Sequence, residues 1–171
     1  PTARDKAQED FINDRVQVVC ATIAFGMGID KSNVNFVIHY NMPKSLEAYY
    51  QEAGRAGRDG SNADCILLYG PKDVQTARFF IENGSDNEDL TDDQRELIKR
   101  QDYERLEAMV TYCKTRTCLR GWVLEYFGQK HPQACGNCGN CQGEFETVDI
   151  TREAQMILSC VRRINDKIGC D

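Results

Sequence analysis

No stretch of the 171 residues approaches the ~18 consecutive apolar residues that a membrane span requires, so a transmembrane helix is excluded. Pro1 to Asp10 are polar and charged, so no secretory signal is expected. Positive charge is short too. The formal net charge is −6, which argues against a generally basic nucleic-acid coat and leaves room only for a local basic groove. Gly-Lys-Ser and Gly-Lys-Thr occur nowhere, so there is no Walker A loop, and no Asp-Glu pair follows a strand as a magnesium site. There is no internal repeat and no low-complexity tract. Nine cysteines are too few for a disulfide scaffold. Four crowd between residues 118 and 141, and with no secretory signal the pattern reads as a metal site in a reducing compartment.

What is present is a foldable composition, 41% apolar and 28% charged. Three short apolar runs, Val16–Cys20, Val34–Tyr40 and Cys65–Tyr69, suit strands buried on both faces of a parallel sheet. Ser45 to Ala56 reads as a helix capped by Ser45, and Asp73 to Asn83 as a helix capped by Asp73 and ended by Gly84. Strand–helix–strand alternation gives an α/β layer, and three strands are too few to complete one, so residue 1 reads as a cut within a larger fold. Residues 84–96 hold one basic residue against six acidic ones, a linker or a solvated loop. Beyond it the period becomes helical. Thr91 and Gln94 form a capping box. Leu106, Met109, Val110 and Cys113, then Leu119, Trp122, Val123, Tyr126 and Phe127, give two amphipathic helices packed on each other. A last helix starts at Thr151 with Ala154, Ile157, Leu158 and Val161 on one face.

Two stretches carry chemistry. In Cys135-Gly-Asn-Cys138-Gly-Asn-Cys141 three thiols recur every third residue, with glycines that permit the tight turns. Zinc takes four tetrahedral ligands, so a fourth is needed; Cys118 is favoured, with Cys113 and His131 as competitors. A site closed by four protein ligands holds structure and does no chemistry. A thiol redox role is weaker, because the cluster does not open a helix after a strand.

The second stretch is Gln51-Glu-Ala-Gly54-Arg55-Ala-Gly57-Arg58-Asp-Gly60. Two arginines three apart on a helix project about 60° from one another and suit a phosphate chain, which guanidinium groups bind in a forked geometry. Glycines in a helix cost roughly 1 kcal/mol each, which suggests a close approach of backbone or ligand. The competing reading is a surface helix paired internally through Glu52 and Asp59. Upstream, Gly26-Met-Gly28-Ile-Asp30 follows the first apolar run; Gly-x-Gly can approach a sugar–phosphate and Asp30 can accept a ribose hydroxyl, although the third glycine of a dinucleotide fingerprint is missing. Near the cysteines, Lys114, Arg116, Arg120 and Lys130 are opposed in sequence only by Glu125, a cluster that either holds a nucleic-acid backbone or solvates helix ends.

Ala21-Thr-Ile-Ala-Phe-Gly-Met-Gly-Ile-Asp30 resembles motif V of superfamily 2 helicases in the form used by the RecQ family, and Tyr49-Tyr-Gln-Glu-Ala-Gly-Arg-Ala-Gly-Arg-Asp-Gly60 resembles that family's motif VI. Thr117-Cys118-Leu-Arg to Tyr126-Phe-Gly128 with the cysteine triplet resembles its zinc-binding subdomain. The resemblance covers nearly the whole chain in order. It implies an α/β fold: residues 1–83 as part of a RecA-like parallel-sheet lobe, 84–96 as linker, 97–145 as a small helical zinc-binding module and 146–171 as the start of a winged helix. It implies a cytoplasmic, nucleoid-associated 3′–5′ DNA helicase of repair and recombination that uses ATP and Mg2+ with structural zinc. DNA at single-strand/duplex junctions would be the partner, while a single-stranded-DNA-binding protein is not readable. By motif, Arg58 would be the arginine finger, Arg55 a second phosphate contact, and Gln51 a group placing the γ-phosphate or the attacking water. Gly28 and Asp30 would line the ribose side, and Thr22 would meet the DNA backbone with Lys114, Arg116 and Arg120. Cys118, Cys135, Cys138 and Cys141 would be the zinc ligands. The Walker lysine and the magnesium-binding acids belong to the family's other lobe, so this chain alone would not hydrolyse ATP. The alternative is a non-enzymatic zinc-dependent nucleic-acid-binding or scaffold module.

Overall fold

A computed structural model describes residues 2–22, 31–84, 90–131, 133–143 and 149–168, with side chains of the last helix described as far as Arg163. Helix α1, Ala3–Ile12, starts in a capping box in which Thr2 and Asp5 satisfy each other's backbone N–H groups. Its C-terminal side is pinned by charge. Asp14 sits in the left-handed region at φ 56° and accepts from the buried Lys31 at 2.7 Å, whose ammonium also lies 5.4 Å from the Phe11 ring centroid.

Strand β1, Phe36–His39, and strand β2, Asp64–Leu67, pair in parallel with Phe36 opposite Asp64 and His39 opposite Leu67. Helix α2, Leu46–Ala53, connects them, with Ser45 accepting from the Ala48 amide as its cap. The expected strand at Val16–Cys20 is not formed. A strand requires a ladder neighbour, and among the described residues β1 pairs only with β2; Val18 is left 59% exposed. The burial expected on both faces is also met on one face alone. His39 and Leu67 turn towards α2 and the core, while Phe36, Ile38 and Ile66 on the opposite face stay exposed.

Two helix ends differ from the sequence reading. Helix α2 stops at Ala53 rather than running on to Ala56, so Arg55 and Arg58 lie on the turns that follow it and not on a helix face. Beyond the Gly54 cap, Gly57 adopts φ +65°, a conformation that a continuing helix does not have, and a Cβ there would fall 2.8 Å from the Ser61 carbonyl oxygen. Helix α3, Pro71–Asn83, starts two residues before the expected cap. Pro71 opens the first turn, where its missing N–H costs nothing, and Asp73 reaches back to accept from the Gly70 amide at 2.8 Å. Gly84 ends it as expected.

Helix α4, Asp92–Lys114, has the Thr91–Gln94 capping box, and Glu82 of α3 bonds both Lys99 and Tyr103 of α4. Helix α5, Leu119–Tyr126, packs on α4. Leu46 and Tyr49 of α2, Met109 and Tyr112 of α4 and Val123 of α5 form one buried cluster, with Leu46 and Met109 wholly enclosed. The helix between the two strands and the helices before the cysteines therefore share a core. The Tyr49 and Tyr112 hydroxyls meet inside it at 3.1 Å, and Tyr126 donates to Glu47 at 2.7 Å. The short helix α6, Gly139–Gln142, lies among the cysteines. Helix α7, Thr151–Ile168, is amphipathic and leaves Met156, Ile157, Leu158 and Val161 exposed.

Candidate metal centre and the arginine turn

Cys118 stands at the N-cap of α5, Cys135 before the turn made by Gly136 at φ +66°, Cys138 at the N-cap of α6 and Cys141 within it. Folding brings the four sulfurs within 4.8 Å of one another. Cys135 to Cys141 and Cys118 to Cys138 are both 4.0 Å. Four thiolates ~2.3 Å from a zinc ion at the corners of a tetrahedron would stand ~3.8 Å apart, so the set fits that ion with little adjustment. The backbone prepares it for negative charge: the Gly121 amide donates to Cys118 Sγ at 3.2 Å and the Asn137 amide to Cys135 Sγ at 3.4 Å.

The thiols do not ionise alike. Burial pushes the Cys138 thiol up, but the Cys141 and Leu119 amides and the neighbouring thiols outweigh it and bring it down to about 6. The Asn137 amide favours the Cys135 thiolate, yet burial and the three neighbouring sulfurs push that thiol up to about 11. Thiols this close resist carrying four negative charges by themselves, and a divalent cation removes the conflict.

Both competitors for the fourth position are placed elsewhere. Cys113 packs beside the Leu46–Met109 cluster, and burial, with Asp73 nearby, pushes its thiol up to about 11. His131 lies against α5, where a Cβ on Gly121 would fall 2.6 Å from its Nδ1, and its Nε2 is 3.6 Å from Glu125. Gly121 therefore seats the imidazole, a role that spacing alone does not reveal. Four protein ligands leave no open coordination position, so the zinc that this centre fits is structural.

The second site is the turn after α2. Arg58 Nε donates to the Gly54 carbonyl at 3.4 Å. The turn is tied to the chain just ahead of β1, with Gly57 N–H donating to Val34 O at 2.9 Å and Asp59 N–H to Ser32 O at 3.3 Å. Arg55 and Arg58 thus sit on a turn bonded to residues two and four positions beyond Asp30. The expected internal partners are engaged with other groups: Glu52 bonds His39 Nε2 at 2.9 Å, and Asp59 accepts from Ser61. A carboxylate only accepts, so Nε2 carries the hydrogen; Nδ1 of the same ring is buried, with no hydrogen-bond partner among the described residues. Gln51 and Thr22 are exposed, while Gly28 and Asp30 lie outside the described residues.

Of the basic residues, Lys114 and Arg116 come together. With Cys113, Thr115 and Asn140 they line an open cleft of ≈ 450 Å³ beside the metal centre. Arg120 and Lys130 are exposed but do not line it, and the Arg120 charge acts on the Cys65 thiol of β2. Among the described residues, no helix is long and apolar enough to cross a membrane.

Three family models match in succession: the helicase conserved C-terminal domain over residues 1–60, RecQ zinc-binding over 71–142, and the RQC domain over 144–171. The ATP-dependent DNA helicase RecQ of Bacillus subtilis is 50% identical over 166 residues, 97% of this chain and 27% of that protein. That of Haemophilus influenzae is 40% identical over 167 residues, 97% of this chain and 25% of that protein. The RecQ-like DNA helicase BLM of Xenopus laevis is 41% identical over 170 residues, 93% of this chain and 12% of that protein. The chain thus spans about a quarter of the length of the two bacterial relatives.

Proposed function

Because the chain belongs to the RecQ helicase family, we propose that it serves an ATP-dependent 3′–5′ DNA helicase as the part bearing the arginine turn and the structural zinc module. One observation carries this reading: the turn holding Arg55 and Arg58 is hydrogen-bonded to Ser32 and Val34, two and four residues beyond Asp30 in sequence. Two arginines on a turn can face a triphosphate held by another lobe. Arg58 then supplies charge to the γ-phosphate in the transition state, Arg55 holds a phosphate oxygen, and Gln51 orients the attacking water. Gly28 and Asp30 take the ribose side. Mg2+, where bound, would supply charge neutralisation at the phosphates; the Walker lysine and the acids that would hold the ion are not among these 171 residues, which by themselves lack what ATP turnover needs.

The cations complete the reading. Lys114 and Arg116 in their cleft, Arg120 on α5 and Thr22 contact the DNA backbone, each as a sequence-independent, salt-sensitive contact. The substrate is DNA at single-strand/duplex junctions during repair and recombination. Such work belongs in the cytoplasm at the nucleoid, and the single strands it exposes are what a single-stranded-DNA-binding protein covers. A purely non-enzymatic zinc module is not favoured, because the helicase C-terminal match accounts for residues 1–60 and the arginine turn within them.

In the intact protein, Arg58→Ala lowers ATP turnover by about 10³-fold or more while DNA affinity stays within a factor of two. Steady-state ATP hydrolysis and fluorescence anisotropy with a fork oligonucleotide measure the two. Undiminished turnover sinks the arginine-finger role.

A further inference from the structure

The cysteine triplet is a sequence repeat, Cys-Gly-Asn-Cys-Gly-Asn-Cys, in which Asn137 and Asn140 look equivalent. The fold makes them unlike. Asn137 is exposed and serves the centre through its backbone, whose N–H donates to Cys135 Sγ. Asn140 acts through its side chain: its Nδ2 donates to Thr115 O at 2.8 Å and to Thr117 O at 2.7 Å. Both partners are carbonyl oxygens, so only the NH2 end of the amide can face them, and it spends both hydrogens there.

The partners' positions make this more than a loop contact. Thr115 is the C-cap of α4, where carbonyls lack helical partners. Thr117 precedes Cys118, and Asn140 precedes Cys141. One amide therefore joins the backbone next to the ligand on α5 to the backbone next to the last ligand of the triplet, the two halves of a centre 23 residues apart in sequence. The two carbonyls also lie on either side of Arg116, so the same amide fixes the shape of the cationic cleft.

We infer that Asn140 is a positioning residue of the metal centre, clamping the α4–α5 turn to the cysteine triplet so that Cys118 meets the other three thiolates preorganised, and that Asn137 is not. The inference rests on the structural-zinc reading. Groups that orient metal ligands typically govern about 10–100-fold of metal affinity. Asn140→Ala removes both donors. Asn140→Asp replaces them with a carboxylate facing two carbonyl oxygens beside four thiolates.

The test uses the intact zinc-loaded protein, with zinc release to excess EDTA followed by a colorimetric zinc indicator. Asn140→Ala and Asn140→Asp release zinc at least tenfold faster than wild type, and Asn137→Ala stays within twofold. Cobalt(II)-substituted Asn140→Ala keeps the absorption bands of a tetrahedral four-thiolate site, showing that its ligands are intact and that it is the positioning that has changed. Asn140→Ser, with one donor in place of two, gives an intermediate rate and is read in the same way if Asn140→Ala is insoluble. Wild-type release from the Asn140 variants, or equal acceleration by Asn137→Ala, overturns the inference. A wild-type chain that holds no zinc when purified overturns the structural-zinc reading beneath it, a different result from zinc held equally well with and without Asn140.

Discussion

The metal centre and the arginine turn are built from the same grammar, chemical side chains every third residue with glycines between them, yet one closes on itself and the other does not. The cysteine triplet meets a fourth cysteine, Cys118, seventeen residues upstream, and four sulfurs converge within 4.8 Å. The arginine turn is tied down through its backbone, and the lysine and metal-binding acids that would complete a triphosphate site are not among these 171 residues. A self-contained site can be judged by its own geometry. A shared site shows only how its half is held, and here that hold runs through α2 into the same core that carries the zinc module.

The strongest way to break this comparison is to open the closed site. Zinc binding to small modules contributes about 10–16 kcal/mol of apparent folding free energy. Cys138→Ser therefore unfolds the helices around α5 and α6 and yields insoluble or zinc-free protein, read by metal analysis and circular dichroism. A variant that melts like wild type shows that the cluster does not hold structure. Lowering pH has the same sign. Zinc is held by thiolates and protons compete for all four sulfurs, so zinc retention declines as pH falls.

The shared core gives a second, smaller effect. Met109 is wholly enclosed between α2 and α5. Met109→Ala removes buried volume that neither element can refill, at a cost of about 2–5 kcal/mol in thermal or urea unfolding. The comparison requires that this loss loosen both regions together, so that zinc release and amide exchange at Gly57 both quicken. If only one responds, the two sites do not share a cooperative unit.

How much of this could be read beforehand depends on how local the cause is. The Ser45 cap, the Thr91–Gln94 box and the Gly84 stop follow from side chains within a few residues, and all are found, while folding brings the Cys118 sulfur within 4.8 Å of those of the triplet. After α2 stops at Ala53 the chain turns to Gly57 at φ +65°, whose N–H is bonded to Val34, a long-range tie that no helical period encodes. The strand expected at Val16–Cys20 has β composition, but strands are made by neighbours. The seat that Gly121 gives His131 and the division of labour between Asn137 and Asn140 are likewise tertiary, invisible in a repeat that treats its members alike.

The smallest effect sharpens the comparison most, because it reaches the arginine turn and leaves the zinc centre alone. Glu52 is the residue after Gln51 and two before the Gly54 cap, and it anchors the end of α2 to His39 at the end of β1. Deleting its carboxylate leaves a ring already unpartnered at Nδ1 without a partner at Nε2 as well, in a site where His39 is only 8% exposed. An unsatisfied buried polar group costs about 1–3 kcal/mol, so Glu52→Ala lowers stability by that order, whereas Glu52→Gln, whose amide oxygen still accepts from Nε2–H, keeps most of it. Gly57 N–H exchange should quicken in Glu52→Ala and recover in Glu52→Gln, with zinc release unchanged in both. Faster zinc release in Glu52→Ala, matching the change at Gly57, would mean that the two regions open as one unit and that the His39 contact supports both.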